Sequence, residues 1–428
     1  MTDQKVALAD PGDDAAGGKR QIDIASMGAQ GDGVSARGVF VPLTLPGERV
    51  SVAGGGERAE LIAVEISSGE RVTAPCPHFG ACGGCALQHW ASEPYLAWKL
   101  DQVRIALARV RLETDVRLAF AAAPGTRRRV ALHARREGRR VSLGFKARRS
   151  WRVVPIETCI IADPPLVRAL PALRRLAEPF LSSPKSAPTL HVTSTASGLD
   201  IDVTGVERPG PSADARVRVA MIAAESDIAR VTLAGETIYQ ARQVVTRFGL
   251  ASVALPPGAF LQATAEAEAT MARLVVEGVR GARKVADLFC GLGAFAFPMA
   301  TTASVLAADS SGPAIAALKS ALATAPGLKP ISAQVRDLER RPLLEEDLKG
   351  VEAAVFDPPR AGAATQAAQF GSSGLSRVIA VSCHPATFAR DARIMADQGF
   401  DLEHVDLVDQ FLWSPHIELV ALFSRTRV

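Results

Sequence analysis

Lys284-Val-Ala-Asp-Leu-Phe-Cys-Gly-Leu-Gly293 reads as an apolar strand that closes on a glycine turn. Glycine is needed where backbone must approach a ligand closely, and ligands of open α/β sheets sit beyond the carboxyl ends of the strands. Downstream, the apolar runs 305–308, Ala353–Phe356, Arg377–Ser382 and 419–423 alternate with helix-length segments. Strands spaced in this way pair in parallel, so residues 256–428 are expected to form a doubly wound, Rossmann-like α/β sheet, with 419–423 as an antiparallel edge strand.

The turn lacks the third glycine of the dinucleotide fingerprint. Asp309 closes the next strand, 18 residues after Gly291, where an acid can hold the two hydroxyls of a ribose. An adenosine ligand without a diphosphate fits this pattern better than NAD, which points to S-adenosylmethionine. Asp337 follows the strand-like run 332–335, and Asp357-Pro-Pro-Arg360 follows Ala353–Phe356. Taken singly, each acid suits a helix N-cap. Four acids (Asp287, Asp309, Asp337, Asp357) at successive strand ends mark one crevice.

Val381-Ser-Cys-His-Pro385 places Cys383 just past another apolar strand, on the rim of that crevice. A thiol with a pKa of about 8.5 is a far better nucleophile near neutral pH than a hydroxyl. Cys290, inside the glycine turn, reads as a small packing residue. His416-Ile-Glu418 precedes the last strand, and Glu418 is a candidate general base if it faces the crevice.

Cys76-Pro-His-Phe-Gly-Ala-Cys82-Gly-Gly-Cys85 brings three thiols within a short loop, with Gly83 and Gly84 allowing a tight wrap; Cys159 can supply a fourth. Four thiolates match either a tetrahedral zinc or an iron–sulfur cluster. Spacing alone does not choose between them.

The chain has 428 residues, room for about three domains of roughly 150 residues each. With 48% hydrophobic and 22% charged residues it is neither a disordered chain nor a disulfide-stapled miniature. It has no apolar run long enough to cross a bilayer and no signal-like N-terminus, so the cytoplasm is the expected location. The net charge of +4 conceals an asymmetry: residues 101–155 hold 15 Lys/Arg against four acids, a window of +11 that leaves about −7 elsewhere. Fourteen of the 15 are arginine, whose planar fork grips phosphate with two hydrogen bonds. Residues 1–20 read as a disordered tail. Residues 21–73 carry short β-type runs between Gly- and Pro-rich turns, as in a five-stranded OB-like barrel. Residues 74–255 read as a mixed α+β segment with a helix over 166–180.

Together these motifs resemble one family, the S-adenosylmethionine-dependent RNA (uracil-5-)methyltransferases, in the branch with an iron–sulfur cluster and a TRAM domain. The resemblance runs from about Gln21 to Arg425. It rests on 75–90, Ala259-Phe-Leu-Gln262, Asp287 to Gly293, Asp357-Pro-Pro-Arg360, Val381 to Pro385 through Ala389-Arg-Asp391, and His416-Ile-Glu418, in the family's order. It implies a TRAM barrel at 21–73, a central domain at 74–255 whose Cys76, Cys82, Cys85 and Cys159 ligate a 4Fe-4S cluster, and a class I methyltransferase domain at 256–428. It further implies that Gln262, Phe289, Gly291, Gly293, Asp309, Asp337 and Asp357 line the cofactor and uracil pocket, that Cys383 is the nucleophile and that Glu418 is the base. The implied partner is RNA, ribosomal rather than transfer RNA, bound by a monomer.

The sequence departs from the family pattern at Ala294, at His384 where Asn commonly follows the nucleophile, at Asp309 where Glu is common, and at Phe411-Leu-Trp-Ser-Pro415. An amino-methyltransferase is disfavoured because Arg360, not an aromatic residue, follows Asp-Pro-Pro. An inert RNA-binding relic is disfavoured by the joint presence of Cys383 and Glu418.

Overall fold

The computed structural model describes residues 19–425. Of the expected 1–20 tail, 1–18 lie outside the described residues, and Arg20 already opens a strand. The chain divides into two compact units, one running through Ala74 and including Ala86–Trp98, the other comprising Pro75–Cys85 and Lys99–Val428.

The first unit is built on five antiparallel strands, Arg20–Met27, Asp32–Ser35, Phe40–Pro42, Arg49–Ala53 and Glu60–Ile66, in the spatial order third, second, first, fourth, fifth. Alternation places Ile24, Val41, Val50 and Val52 on the inner face, each at most 2% exposed. The sheet curls until Phe40 bridges Arg58 in parallel, with Phe40 N–H donating to the Glu57 carbonyl at 2.8 Å and Ala59 N–H to the Phe40 carbonyl at 3.1 Å. A second apolar cluster of Leu45, Leu87, Trp90, Tyr95 and Trp98 belongs to the same unit.

The second unit holds two large sheets. Seven strands run in the order Glu236–Gln240, Arg230–Leu233, Gly198–Thr204, Thr189–Thr195, Arg129–Glu137, Arg140–Lys146, Val153–Pro155. Helices Leu170–Ala177 and Ala213–Glu225 cover one face through Leu173, Leu176, Val219 and Ala223. The single helix expected over 166–180 is instead three pieces, Pro164–Arg168, Leu170–Ala177 and a 3₁₀ turn Glu178–Phe180. Pro171 and Pro179 each lack a backbone N–H and sit in the first turn of the piece they belong to, so the helical hydrogen-bond ladder restarts at both.

The other sheet has eight strands, Ile331–Val335, Ser304–Asp309, Lys284–Leu288, Ala353–Phe356, Arg377–Ser382, Glu418–Ser424, Asp401–Asp409 and Asp115–Ala121. The first five are parallel. Strand Glu418–Ser424 is antiparallel, as expected, but it is not an edge: it lies between Arg377–Ser382 and Asp401–Asp409. Glu418, Leu419, Val420 and Ala421 are all buried, and a strand buried on both faces needs a neighbour on each side. The edge is taken by Asp115–Ala121, from the segment expected to be central. Strand order reverses between Lys284–Leu288 and Ala353–Phe356, the switch point where a crevice opens beyond the strand ends.

Candidate active site

At the end of strand Lys284–Leu288, Phe289 takes φ +60°, Gly291 +51° and Gly293 +90°. At Gly293 a side chain is excluded sterically too, since a Cβ would lie 2.9 Å from the Phe297 ring. Gly291 faces open space, so backbone is presented there with nothing over it. Its N–H donates to Asp309 Oδ2 at 2.9 Å, while Asp309 Oδ1 accepts from Ser311 N–H at 2.7 Å. The acid and the turn are thus one hydrogen-bonded unit.

Asp287 is fully buried, and the Ala296 N–H is a backbone donor that favours its ionised form. Burial, reinforced by the nearby Asp357 and Asp309, pushes its carboxyl well above the usual range. Asp357 follows the adjoining strand, its N–H donating to the Leu288 carbonyl at 3.2 Å; burial raises it to about 7. Asp337 is farther committed to its own loop, Oδ1 accepting from Glu339 N–H at 3.1 Å and Arg340 N–H at 3.3 Å. The N-cap-like use of an acid holds at that position.

Cys383 follows strand Arg377–Ser382 directly. The antiparallel ladder ends with Ser382 paired to Leu419, so Cys383, just past one strand, and Glu418, the first residue of the other, lie at the same end of the pair and within electrostatic range of each other. Burial first, then the charges of Glu418 and Asp357, push the Cys383 thiol up to about 11, with Arg360 pulling the other way. His384 caps helix Pro385–Asp397, its Nδ1 accepting from Thr387 N–H at 3.4 Å. Asn performs the same capping by a side-chain oxygen, which accounts for the His-for-Asn departure. From that helix Arg390 donates to the Ala361 carbonyl at 2.9 Å and Asp391 Oδ2 accepts from Ala363 N–H at 2.7 Å, fixing the loop after Asp357-Pro-Pro-Arg360.

Glu418 is 3% exposed and raised to about 8, by burial first and then by Asp357; a hydrogen bond from Gln410 opposes the rise. Gln410 went unsignalled in the sequence, yet it organises this part of the crevice. Its Nε2 donates to Gln262 Oε1 at 2.7 Å and to Glu418 Oε2 at 2.8 Å, and its Oε1 accepts from Ala263 N–H at 2.7 Å. Gln262 Oε1 is thus an acceptor for Gln410, which leaves the NH₂ as its donor end. Lys99 is also unsignalled. Fully buried, it donates to Asp409 Oδ1 at 2.6 Å and to the carbonyls of Phe411 at 3.2 Å and His416 at 2.8 Å, pinning both ends of the loop that links Gln410 to Glu418.

Much of the basic window is consumed inside the fold. Arg128 donates to the Gln262 carbonyl at 3.0 Å and pairs with Glu268 at 2.6 Å; Arg129 donates to the Leu261 carbonyl; Arg117 pairs with Asp406. Arg128 and Arg129 hold the segment carrying Gln262, while Arg117 ties strand Asp115–Ala121 to strand Asp401–Asp409. They are not a free phosphate surface. A cleft of about 830 Å³ lined by Arg128, Ser194, Arg247, Glu268 and Ala294 adjoins this region but includes none of the expected site residues.

The four cysteines expected to act together are all half-buried. Burial raises Cys82 and Cys159, and Cys76 raises both further while Cys159 acts on Cys82, so these thiols lie within electrostatic range. Arg127 senses both Cys159 and Cys85. Among the described residues, no three His, Cys, Asp or Glu side chains are drawn together closely enough to hold a single metal ion. Four thiols, on Cys76, Cys82, Cys85 and Cys159, are a donor set that both a tetrahedral zinc and an iron–sulfur cluster use.

A family model described as tRNA (uracil-5-)-methyltransferase matches residues 213–426. A Caulobacter vibrioides protein described as an uncharacterized RNA methyltransferase is 58% identical over 95% of this chain and 100% of its own length. The 23S rRNA (uracil(1939)-C(5))-methyltransferase of Chromohalobacter salexigens is 30% identical over 94% of this chain and 89% of its own. Among solved structures, the Pyrococcus abyssi tRNA (uracil-54, C5)-methyltransferase in complex with S-adenosyl-L-homocysteine superposes with a TM-score of 0.75 at 21% identity, covering 94% of this chain and 99% of that one.

Proposed function

Because the chain belongs to the RNA (uracil-5-)methyltransferase family, we propose that Cys383 and Glu418 are its nucleophile and base in methylation of carbon 5 of one uridine. The observation that supports the reading is that Cys383 and Glu418 lie at the same end of paired strands, within electrostatic range of each other and of Asp357, with Glu418 tied through Gln410 to Gln262.

Carbon 5 of uracil is a weak nucleophile. Addition of the Cys383 sulfur to carbon 6 forms a C–S bond and moves the electron pair of the 5,6 double bond to carbon 5. S-adenosylmethionine, when bound, supplies the electrophilic methyl. Glu418 then takes the proton from carbon 5, the double bond re-forms and the C–S bond breaks, returning Cys383 as thiolate. Gly291, Gly293, Phe289, Asp309 and Asp337 would hold the adenosine end, with Asp309 on the ribose; Gln262 and Asp357 would meet the pyrimidine edge and the amino-acid end. The uridine must be unpaired or flipped out to reach Cys383.

In this reading the first unit is a TRAM barrel serving RNA binding, 74–255 the cluster-bearing centre and 256–428 the catalytic domain. Cys76, Cys82, Cys85 and Cys159 would hold a 4Fe-4S cluster, whose work is to stiffen the central segment. Ribosomal RNA is the favoured substrate, supported by the 30% identical relative named for 23S rRNA. Among the described residues no helix is long and apolar enough to cross a membrane.

The test is transfer of labelled methyl from S-adenosylmethionine to rRNA and tRNA lacking 5-methyluridine, followed by digestion to nucleosides. Label in 5-methyluridine that disappears in Cys383→Ala is the expected result; label in another nucleoside refutes the reading. Label confined to tRNA would overturn the ribosomal assignment alone.

A further inference from the structure

One turn carries part of the basic window into solvent, with Arg149 and Arg152 exposed there beside an aromatic ring. Between strands Arg140–Lys146 and Val153–Pro155, the run Ala147-Arg-Arg-Ser-Trp-Arg152 is closed by Ala147 N–H to the Arg152 carbonyl at 2.8 Å, Ser150 N–H to the Ala147 carbonyl at 3.1 Å and Arg152 N–H to Ser150 Oγ at 3.1 Å. Arg149 takes φ +53° to complete it. Trp151 stands on this rigid turn at 78% exposure, the most exposed large apolar side chain among the described residues. The Lys146 ammonium lies 3.8 Å from its ring centroid, and residues 146–152 carry four cations and no acid.

The turn is braced from beneath by the cysteine loop. Gly83 N–H donates to the Lys146 carbonyl at 2.9 Å, and a Cβ on Gly83 would come within 2.7 Å of that oxygen and 2.8 Å of Arg148 N. Only glycine lets the Cys82–Cys85 segment pack this close to the turn's backbone. An indole is thus held in water, on a support that costs it little freedom to keep, amid cations.

We propose that the Trp151 turn is a stacking platform for an unpaired base of the RNA substrate, with Lys146, Arg149 and Arg152 meeting the phosphates on either side. The proposal rests on the RNA-methyltransferase reading and adds to it a contact outside the target pocket. A base face is available to an indole only where the RNA is single-stranded, because duplex stacking hides it. Cations flanking the ring suit a polyanion, and would need acidic partners on a protein surface.

The experiment uses the full chain with its cluster, and a fluorescently labelled 12-nucleotide oligouridylate, an abasic oligomer with the same number of phosphates, and a 12-base-pair RNA duplex. Trp151→Ala is expected to weaken oligouridylate binding on the order of tenfold, the usual effect of losing one stacked base. It should leave the affinities for the abasic oligomer and the duplex within about twofold, and Trp151→Phe should recover most of the loss. Arg149→Gln should flatten the slope of log affinity against log salt by about 0.7, the contribution of one single-strand phosphate contact. Equal oligouridylate affinity for wild type and Trp151→Ala overturns the proposal, and so does a loss of the same size on the abasic oligomer. A change in self-association by sedimentation with RNA affinity unaltered would identify the turn as a protein contact and overturn it as well. Methyl transfer to rRNA is measured in parallel: if oligouridylate binding depends on Trp151 and no uridine is methylated, the platform stands and the catalytic reading falls.

Discussion

Gln410→Leu removes the amide that ties Gln262 to Glu418 while keeping the volume of the site nearly constant. The wild-type side chain makes three hydrogen bonds of 2.7 to 2.8 Å in a buried setting. The one to Glu418 favours its ionised form and holds its pKa down toward about 8. A hydrogen bond to a charged group contributes about 1.5–3 kcal/mol, and one pKa unit corresponds to about 1.4 kcal/mol. The protonated acid keeps part of that bond, so its loss should raise Glu418 by about one unit. At pH 7.5 the ionised fraction then falls from roughly a quarter to roughly 3%, an approximately eightfold drop in any step that uses Glu418 as base. The assay is single-turnover methylation from pH 6.5 to 9.5, with the protein–RNA adduct followed on denaturing gels. The variant should show its rising limb displaced by about one pH unit, with adduct accumulating at neutral pH because proton removal lags. An unshifted limb and wild-type adduct levels would refute the reasoning, by showing that the amide bridge does not govern the base.

Lys99→Met leaves the fully buried Asp409 carboxylate without its cation and frees the loop tied at Phe411 and His416; urea denaturation should show a loss of about 3–5 kcal/mol, largely restored on adding Asp409→Asn, and a loss below about 1 kcal/mol would contradict the pinning role. Glu418 and Asp357 have folded pKa values of about 8 and about 7, above those of free carboxylic acids, so the folded state binds more protons between roughly pH 4.5 and 8 and wild-type stability falls as pH rises through that window. The thermal midpoint of Glu418→Gln should accordingly exceed that of wild type at pH 8 and approach it at pH 5, and the opposite trend would refute the assignment. Asp357→Asn removes one of the charges that raise the Cys383 thiol; iodoacetamide labelling of the Cys383 peptide, read by mass spectrometry against pH, should show a lower midpoint than the wild-type value near 11, and an equal or higher one would contradict the electrostatic coupling.

The parallel sheet was legible because its strands are short apolar runs ending in acids, and the positions that matter most, Gly291, Gly293, Asp309, Asp357, Cys383 and Glu418, lie at those ends. Register converts that one-dimensional pattern into a site. Gln410 escaped notice because an amide within Asp409-Gln410-Phe411 looks like any polar residue at a strand terminus; its importance arises from Gln262, 148 residues away in sequence. Lys99 lies on helix Ser92–Arg109, among charged and apolar residues that give no hint that an ammonium there is fully buried. The arginine window was legible as charge but not as geometry. Arg128 and Arg129 brace the segment carrying Gln262 and Arg117 pairs with Asp406, and the turn around Trp151 faces water. The last strand reads as an edge in sequence because an apolar run carries no sign of which neighbours it will find.

The central claim, that Cys383 adds to carbon 6 and Glu418 resolves the adduct, is tested most directly by trapping the intermediate. Glu418→Gln protein incubated with S-adenosylmethionine and unmodified rRNA, then digested with protease and nuclease, should yield a peptide containing Cys383 joined through sulfur to a methylated uridine, seen by mass spectrometry. Methylated RNA formed at the wild-type rate with no such peptide, or an adduct on Cys290 or any cysteine other than Cys383, would contradict it.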